Sequence, residues 1–159
     1  MALEIERKFL LQSDAWRALT TGRVLLRQGY LSSTDQSSIR SSIRVRVAGE
    51  QAWLNLKARK STRTRLEYEY PIPRPDAEEI LANLCTGPLV EKYRHEIVAG
   101  PHVWEIDEFI GDNAGLIVAE IELRSEDDDF ARPAWLGLEV TEDERYYNFN
   151  LAKQPFKDW

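Results

Sequence analysis

The chain has 159 residues, 43% hydrophobic and 30% charged, with a formal net charge of −6. That length suits one domain over 1–159 with its own core, and no apolar run approaches the ~20 residues of a membrane span. The negative sum excludes broad attraction to nucleic acid or an anionic membrane; one cysteine excludes an internal disulfide, and with two histidines it is too few for a zinc centre.

At the N-terminus, acids stand at Glu4 and Glu6, where a secretory signal needs an unbroken apolar stretch. A cytoplasmic protein is expected, consistent with the lone Cys85. The dominant period is then two. Strand-like segments run over 2–11, 23–31, 39–48, 52–60, 64–72, 89–99, 102–110 and 115–124, with a short one at 138–141. Breakers at Gly49-Glu50, Ser61-Thr62, Gly100-Pro101 and Gly111-Asp112-Asn113 make neighbours read as antiparallel hairpins. The stretch from Ser32 to Ser38 reads as a polar loop.

Three segments carry helix signals. Ser13-Asp14 caps a short one through Leu19. Asp76 begins a second, with Glu79 three residues on and Ala77, Ile80, Leu81 and Leu84 on one face; Gly87-Pro88 stop it. Thr141 and Glu144 repeat the capping pattern before a third, limited by Pro155. The sum is mainly β: an eight-stranded antiparallel closed β-barrel with a few covering helices, since closure removes exposed edges.

Same-parity residues of a strand share a face. Glu4, Glu6 and Lys8 therefore lie together, backed by Leu3 and Ile5; Arg44 and Arg46 are backed by Val45 and Val47. Lys57 and Arg59 follow, then Arg65, Glu67 and Glu69, Lys92 and Arg94, Glu105 and Asp107, and Glu120, Glu122 and Arg124. These faces fit either a solvated exterior over an ordinary core or a hollow ionic interior. Grouping by sign favours the second, because like charges two apart on a strand add nothing to stability. A dry interior is excluded: each buried ion costs several kcal/mol unless well paired, and roughly seventeen would overwhelm a net stability of about 5–15 kcal/mol. An inward ionic face must meet water or a charged ligand with its metal. The apolar face then points outward, to be covered by the helices or by a partner subunit, so a homodimer is one expectation. Grouped carboxylates suit hard divalent cations, and grouped Arg and Lys suit phosphates.

Glu4-Ile5-Glu6-Arg7-Lys8 resembles the ExExK signature of the CYTH family, the triphosphate tunnel metalloenzymes. Ile43-Arg44-Val45-Arg46, Leu54-Asn55-Leu56-Lys57, Arg65-Leu66-Glu67-Tyr68-Glu69, Glu91-Lys92-Tyr93-Arg94, Trp104-Glu105-Ile106-Asp107 and Ala119-Glu120-Ile121-Glu122-Leu123 resemble family segments in family order. The likeness spans the whole chain, and its tail resembles the short bacterial group.

The resemblance implies a tunnel that binds a small-molecule triphosphate with Mg²⁺ or Mn²⁺. Glu4, Glu6, Glu120 and Glu122 are then expected to bind metal, with Glu67, Glu69 and Asp107 as further ligands or as groups that hold them. Lys8, Arg44, Arg46, Lys57, Lys92 and Arg94 clamp the phosphates, with Arg59 as a helper. Tyr30 is the expected proton acceptor, its phenol (ordinarily near ~10) drawn down by Lys8 or Lys57. Inorganic tripolyphosphate is the expected substrate, because the short chain has no added nucleoside-binding module. Adenylyl cyclase chemistry and non-catalytic binding of polyphosphate or organic anions are the alternatives. Arg65, Glu105 and Arg124 read as ordinary surface ion pairs, His95 and His102 as ordinary polar residues, and Cys85 as a small apolar helix residue.

Overall fold

The computed structural model describes residues 3–31 and 41–159. The polar stretch from Ser32 to Ser38, and the start of the third strand expected at 39, lie outside the described residues. Among them nine strands form: β1 (Leu3–Leu11), β2 (Arg23–Tyr30), β3 (Ser41–Ala48), β4 (Gln51–Arg59), β5 (Thr64–Pro71), β6 (Thr86–Ala99), β7 (His102–Phe109), β8 (Ile117–Glu122) and β9 (Leu136–Glu139). They pair antiparallel in the order β5-β4-β3-β2-β6-β7-β8-β1-β9, and β1 also pairs with β5. The first eight strands therefore close into a barrel, as the sequence implied. The ninth joins from outside, meeting β1 at Phe9 and Leu11. Two-residue turns link β3 to β4 and β6 to β7, and Gly49 (φ +58) and Gly100 (φ +62) supply the left-handed backbone there.

Register decides where the charges go, because directly opposed residues of antiparallel strands share a face. Glu6 stands opposite Glu122 and Lys8 opposite Glu120; Lys57 opposes Glu67, Arg94 opposes Asp107, and Glu105 opposes Glu120. Ionic faces thus adjoin from β6 through β7, β8, β1, β5 and β4 to β3, and β2 fills the gap between β3 and β6 with Gln28 and Tyr30. The faces turn inward.

The apolar faces turn outward and are covered largely by the same chain. One cluster packs Phe9, Trp104, Ile106, Ala119 and Ile121 under Trp16, Trp135 and Leu136. A second sets Val45, Val47 and Ala52 against Ala77 and Leu81 of helix α1 (Arg74–Asn83). Each such fully buried side chain stabilises the fold by about 1.5–3 kcal/mol, which offsets the cost of an ionic interior. Leu3, Tyr68 and Tyr70 remain exposed on β1 and β5.

The third cluster lies at one end of the barrel. There the inward faces of β6, β7 and β8 change from charged to apolar at Val90, Phe109 and Val118, and Leu151 and Ala152 of helix α2 (Asn148–Lys153) pack on them.

The helices differ from the sequence expectation in detail. The first segment is a single 3-10 turn, Ala15–Ala18. Helix α1 starts at Arg74 after Pro73, without a side-chain cap, so the Asp76–Glu79 capping box does not form. It ends before Gly87-Pro88, which lie inside β6, and Cys85 falls beyond its last turn. The third segment opens as a 3-10 turn, Glu144–Tyr146, capped by Asp143 and not by Thr141. The Thr141 hydroxyl instead accepts the Lys8 backbone N–H at 3.0 Å. No helix among the described residues is long and apolar enough to cross a membrane.

Candidate active site

Inside the barrel a chamber of about 160 Å³ is lined by Glu4, Glu6, Arg44, Arg46, Lys57, Glu67, Glu69, Lys92, Arg94, Glu105, Glu120 and Glu122, with Asn148 from α2. A second cavity of about 290 Å³ opens beside it at the α2 end, sharing Glu6, Arg44, Lys57 and Asn148 and adding Lys8, Tyr30, Arg59 and Arg65. Together they span the size of an ordinary small-ligand site.

The structure brings the sequence-predicted charged residues together, with distinct partners. Glu4 meets Lys57 at 2.5 Å, Lys8 meets Glu120 at 3.2 Å, and Arg94 Nη2 reaches Glu120 at 3.7 Å. Arg44 and Arg46 are held loosely, 3.8 Å from Glu67 and 3.5 Å from Glu69. Loose pairing leaves their forks available to another anion. Arg59 sits at the rim, 2.6 Å from Glu144 and half-exposed. Arg124 lies outside, paired with Asp128.

Asp107 differs from its expected place among the metal ligands. It is fully buried, and its two oxygens receive Lys92 Nζ at 2.7 Å, Arg94 Nε at 2.7 Å and Arg94 Nη2 at 2.8 Å. Those three donors make Asp107 the anchor of two cations. Burial alone would raise its pKa, but Arg94 and Lys92 win and keep it below the ordinary aspartate value. Burial pushes Lys92 down to about 8, against the pull of Asp107. Asn148 Oδ1 accepts a further bond from Lys92 at 3.0 Å, tying α2 to the chamber.

Tyr30 also departs from expectation. Its ring is buried against Phe149, and burial outweighs Arg44, Lys57 and Lys8, so the phenol stands above its ordinary value. A group poised to take a proton at neutral pH would need the opposite shift.

A profile of the CYTH domain matches residues 2–154. The chain belongs to the CYTH domain family. It is 45% identical to an inorganic triphosphatase of Acetivibrio thermocellus, over 100% of this chain and 99% of that protein. An inorganic triphosphatase of Nitrosomonas europaea is 38% identical, over 94% of this chain and 96% of the relative. A solved structure of an inorganic triphosphatase matches with a TM-score of 0.65 and 35% identity, covering 96% of this chain and 95% of that one.

Within this CYTH barrel the carboxylates gather on β1, β5 and β8. Glu4, Glu6 and Glu122 each stand above the ordinary glutamate value, first through burial and then through repulsion from one another and from Glu67 or Glu120. Such a wedge favours a cation. Among the described residues no three carboxylate, imidazole or thiolate groups stand close enough to enclose one ion. Mg²⁺ does not require that, since it keeps several waters and takes one or two carboxylates plus phosphate oxygens. The wedge fits one half of a site whose other half is a substrate.

Sequence reasoning missed several lining groups. Arg65 and Glu105 line the cavities, and strand parity with Glu67 and Asp107 was the available signal. Glu105 pairs with Arg94 and is pushed up to about 6, chiefly by burial. Asn55 donates to Glu69 at 2.7 Å and shares the face of Lys57. Asn148 had no signal, because it arrives from a separate helix.

Proposed function

We propose that this CYTH protein is a metal-dependent triphosphatase that hydrolyses inorganic tripolyphosphate to pyrophosphate and phosphate. One observation carries the reading. Cations and carboxylates from seven of the eight barrel strands face one chamber, and three of its carboxyls lack full compensation. A phosphate chain with a divalent cation supplies both missing charges at once. The short bacterial relatives, named as inorganic triphosphatases over nearly their full length, support the same substrate.

In this reading Arg44, Arg46, Lys57 and Arg94 grip the chain inside the chamber, while Lys8 and Lys92 meet it nearer the α2 end. Arg59, already engaged at the rim, steers an incoming anion. Glu4, Glu6, Glu120 and Glu122 would hold the cation, assisted by Glu67 and Glu69. Mg²⁺ or Mn²⁺ held there would supply positive charge to phosphate oxygens and would lower the pKa of a bound water. The protein's own part is positioning and charge neutralisation, which dominate phosphoryl transfer. Tyr30, kept protonated, offers a hydroxyl donor at the mouth of the chamber. Asp107 holds Lys92 and Arg94 in place.

The test is phosphate release from tripolyphosphate, pyrophosphate, ATP and thiamine triphosphate, with and without chelator. Equimolar phosphate and pyrophosphate from tripolyphosphate, abolished by chelator, is the expected result. Cyclic AMP from ATP would replace this reading with a cyclase, and tight binding without release would replace it with an anion binder.

A further inference from the structure

Gln28 stands apart from every other polar residue of the barrel wall. It lies on β2, opposite Arg46 of β3 and Val90 of β6, on the inward face that carries Tyr30. Its side chain is completely buried, and neither Oε1 nor Nε2 has a hydrogen-bond partner among the described residues. Each such unmet group costs roughly 1–3 kcal/mol, so a methionine would be the more stable choice for the fold alone. A residue that burdens the fold directly opposite an arginine that lines the chamber is a candidate for function.

The unmet groups beside it are complementary. Arg46 Nε and Arg44 Nε are also buried without partners, on the two β3 positions that oppose Gln28 and Tyr30. An arginine Nε–H is a donor only, and a carboxamide oxygen is an acceptor. Both arginines are held only loosely by Glu69 and Glu67, so their heads are free to turn toward a phosphate in the chamber. Burial and repulsion from Arg44 and Arg94 push Arg46 below the ordinary guanidinium value, which leaves it short of negative charge.

We propose that Gln28 is a positioning residue whose carboxamide oxygen takes the Arg46 Nε–H when a phosphate chain is bound, fixing that guanidinium fork on the substrate. A fork fixed at Nε presents its two terminal nitrogens side by side, the arrangement that grips phosphate with two bonds. The inference rests on the triphosphatase reading, and it assigns Gln28 to substrate binding.

The experiment compares Gln28→Met, Arg46→Lys and the double variant with the unaltered chain, measuring KM and kcat for tripolyphosphate and the thermal midpoint of each. Gln28→Met should raise KM roughly tenfold, the factor that 1.4 kcal/mol represents, with kcat within about twofold. Its thermal midpoint should hold or rise, because the unmet amide is gone. In the Arg46→Lys background, which lacks the Nε–H, Gln28→Met should add nothing further to KM. An unchanged KM in Gln28→Met, additive effects in the double variant, or a Gln28→Met protein that is unfolded or destabilised would each overturn the proposal. If the unaltered chain releases no phosphate, the triphosphatase reading fails first, and the two failures are distinct.

Discussion

Replacing Asp107 with asparagine tests how the ionic interior is held together. The carboxylate is fully buried and receives three charge-assisted bonds, one from Lys92 and two from Arg94, each between 2.7 and 2.8 Å. Asparagine keeps the volume but removes the charge and turns one acceptor into a donor facing those cations. Removing one partner of a buried ion cluster costs about 3–5 kcal/mol, whereas an exposed pair such as Arg59–Glu144 is worth about 0–1 kcal/mol. Asp107→Asn should therefore lower unfolding stability in urea by about 3–5 kcal/mol at pH 7, and Arg59→Ala by less than about 1 kcal/mol. Because the native pKa of Asp107 lies below its ordinary 3.8, its contribution is fully present above that value and is lost as pH falls through the native one. The difference between Asp107→Asn and the unaltered chain should then shrink only in strong acid. Turnover should drop as well, since Lys92 and Arg94 lose the group that aims them. A variant as stable as the original, with normal turnover, would refute the reasoning.

Four further outcomes follow from the same geometry. Glu122→Gln should raise the Mg²⁺ concentration needed for half-maximal phosphate release while leaving the thermal midpoint equal or higher, because it relieves repulsion from Glu4, Glu6 and Glu67. Tyr30→Phe should keep the shape of the pH–rate profile, since burial holds the phenol protonated; loss of an alkaline limb would restore Tyr30 as the base. Glu105 is raised from 4.5 to about 6, so its native carboxylate costs stability that appears as pH rises between those values. Glu105→Gln should thus stabilise the protein at pH 8 relative to the original and change little at pH 4, read from thermal melts. Removing divalent metal with a chelator should abolish phosphate release, and adding back Mg²⁺ or Mn²⁺ should restore it.

Much of this was legible because ionic and apolar residues alternate along most of the strands. Glu4, Glu6 and Lys8 backed by Leu3 and Ile5, or Glu120 and Glu122 around Ile121, announce a strand with one charged face, and the grouping of signs points to an interior. What parity cannot supply is partnership. Asp107 reads as one more carboxylate until β6 places Lys92 and Arg94 on its oxygens. Tyr30 reads as activated by nearby lysines, but its depth in the wall is a three-dimensional property, and burial reverses the sign. Gln28 and Asn55 carry no charge to stand out, and Asn148 enters from α2. Around Gly87-Pro88 the local rule for helix ends pointed to a stop, while pairing of Thr86 with Tyr30 draws the segment into β6.

The most direct measurement is a crystal structure of the protein with Mn²⁺ and tripolyphosphate, the metal located by its anomalous scattering. The phosphate chain should lie among Arg44, Arg46, Lys57 and Arg94, and the metal between the β1 and β8 carboxylates. Phosphate bound only on the outer surface, or metal away from Glu4, Glu6, Glu120 and Glu122, would contradict this placement.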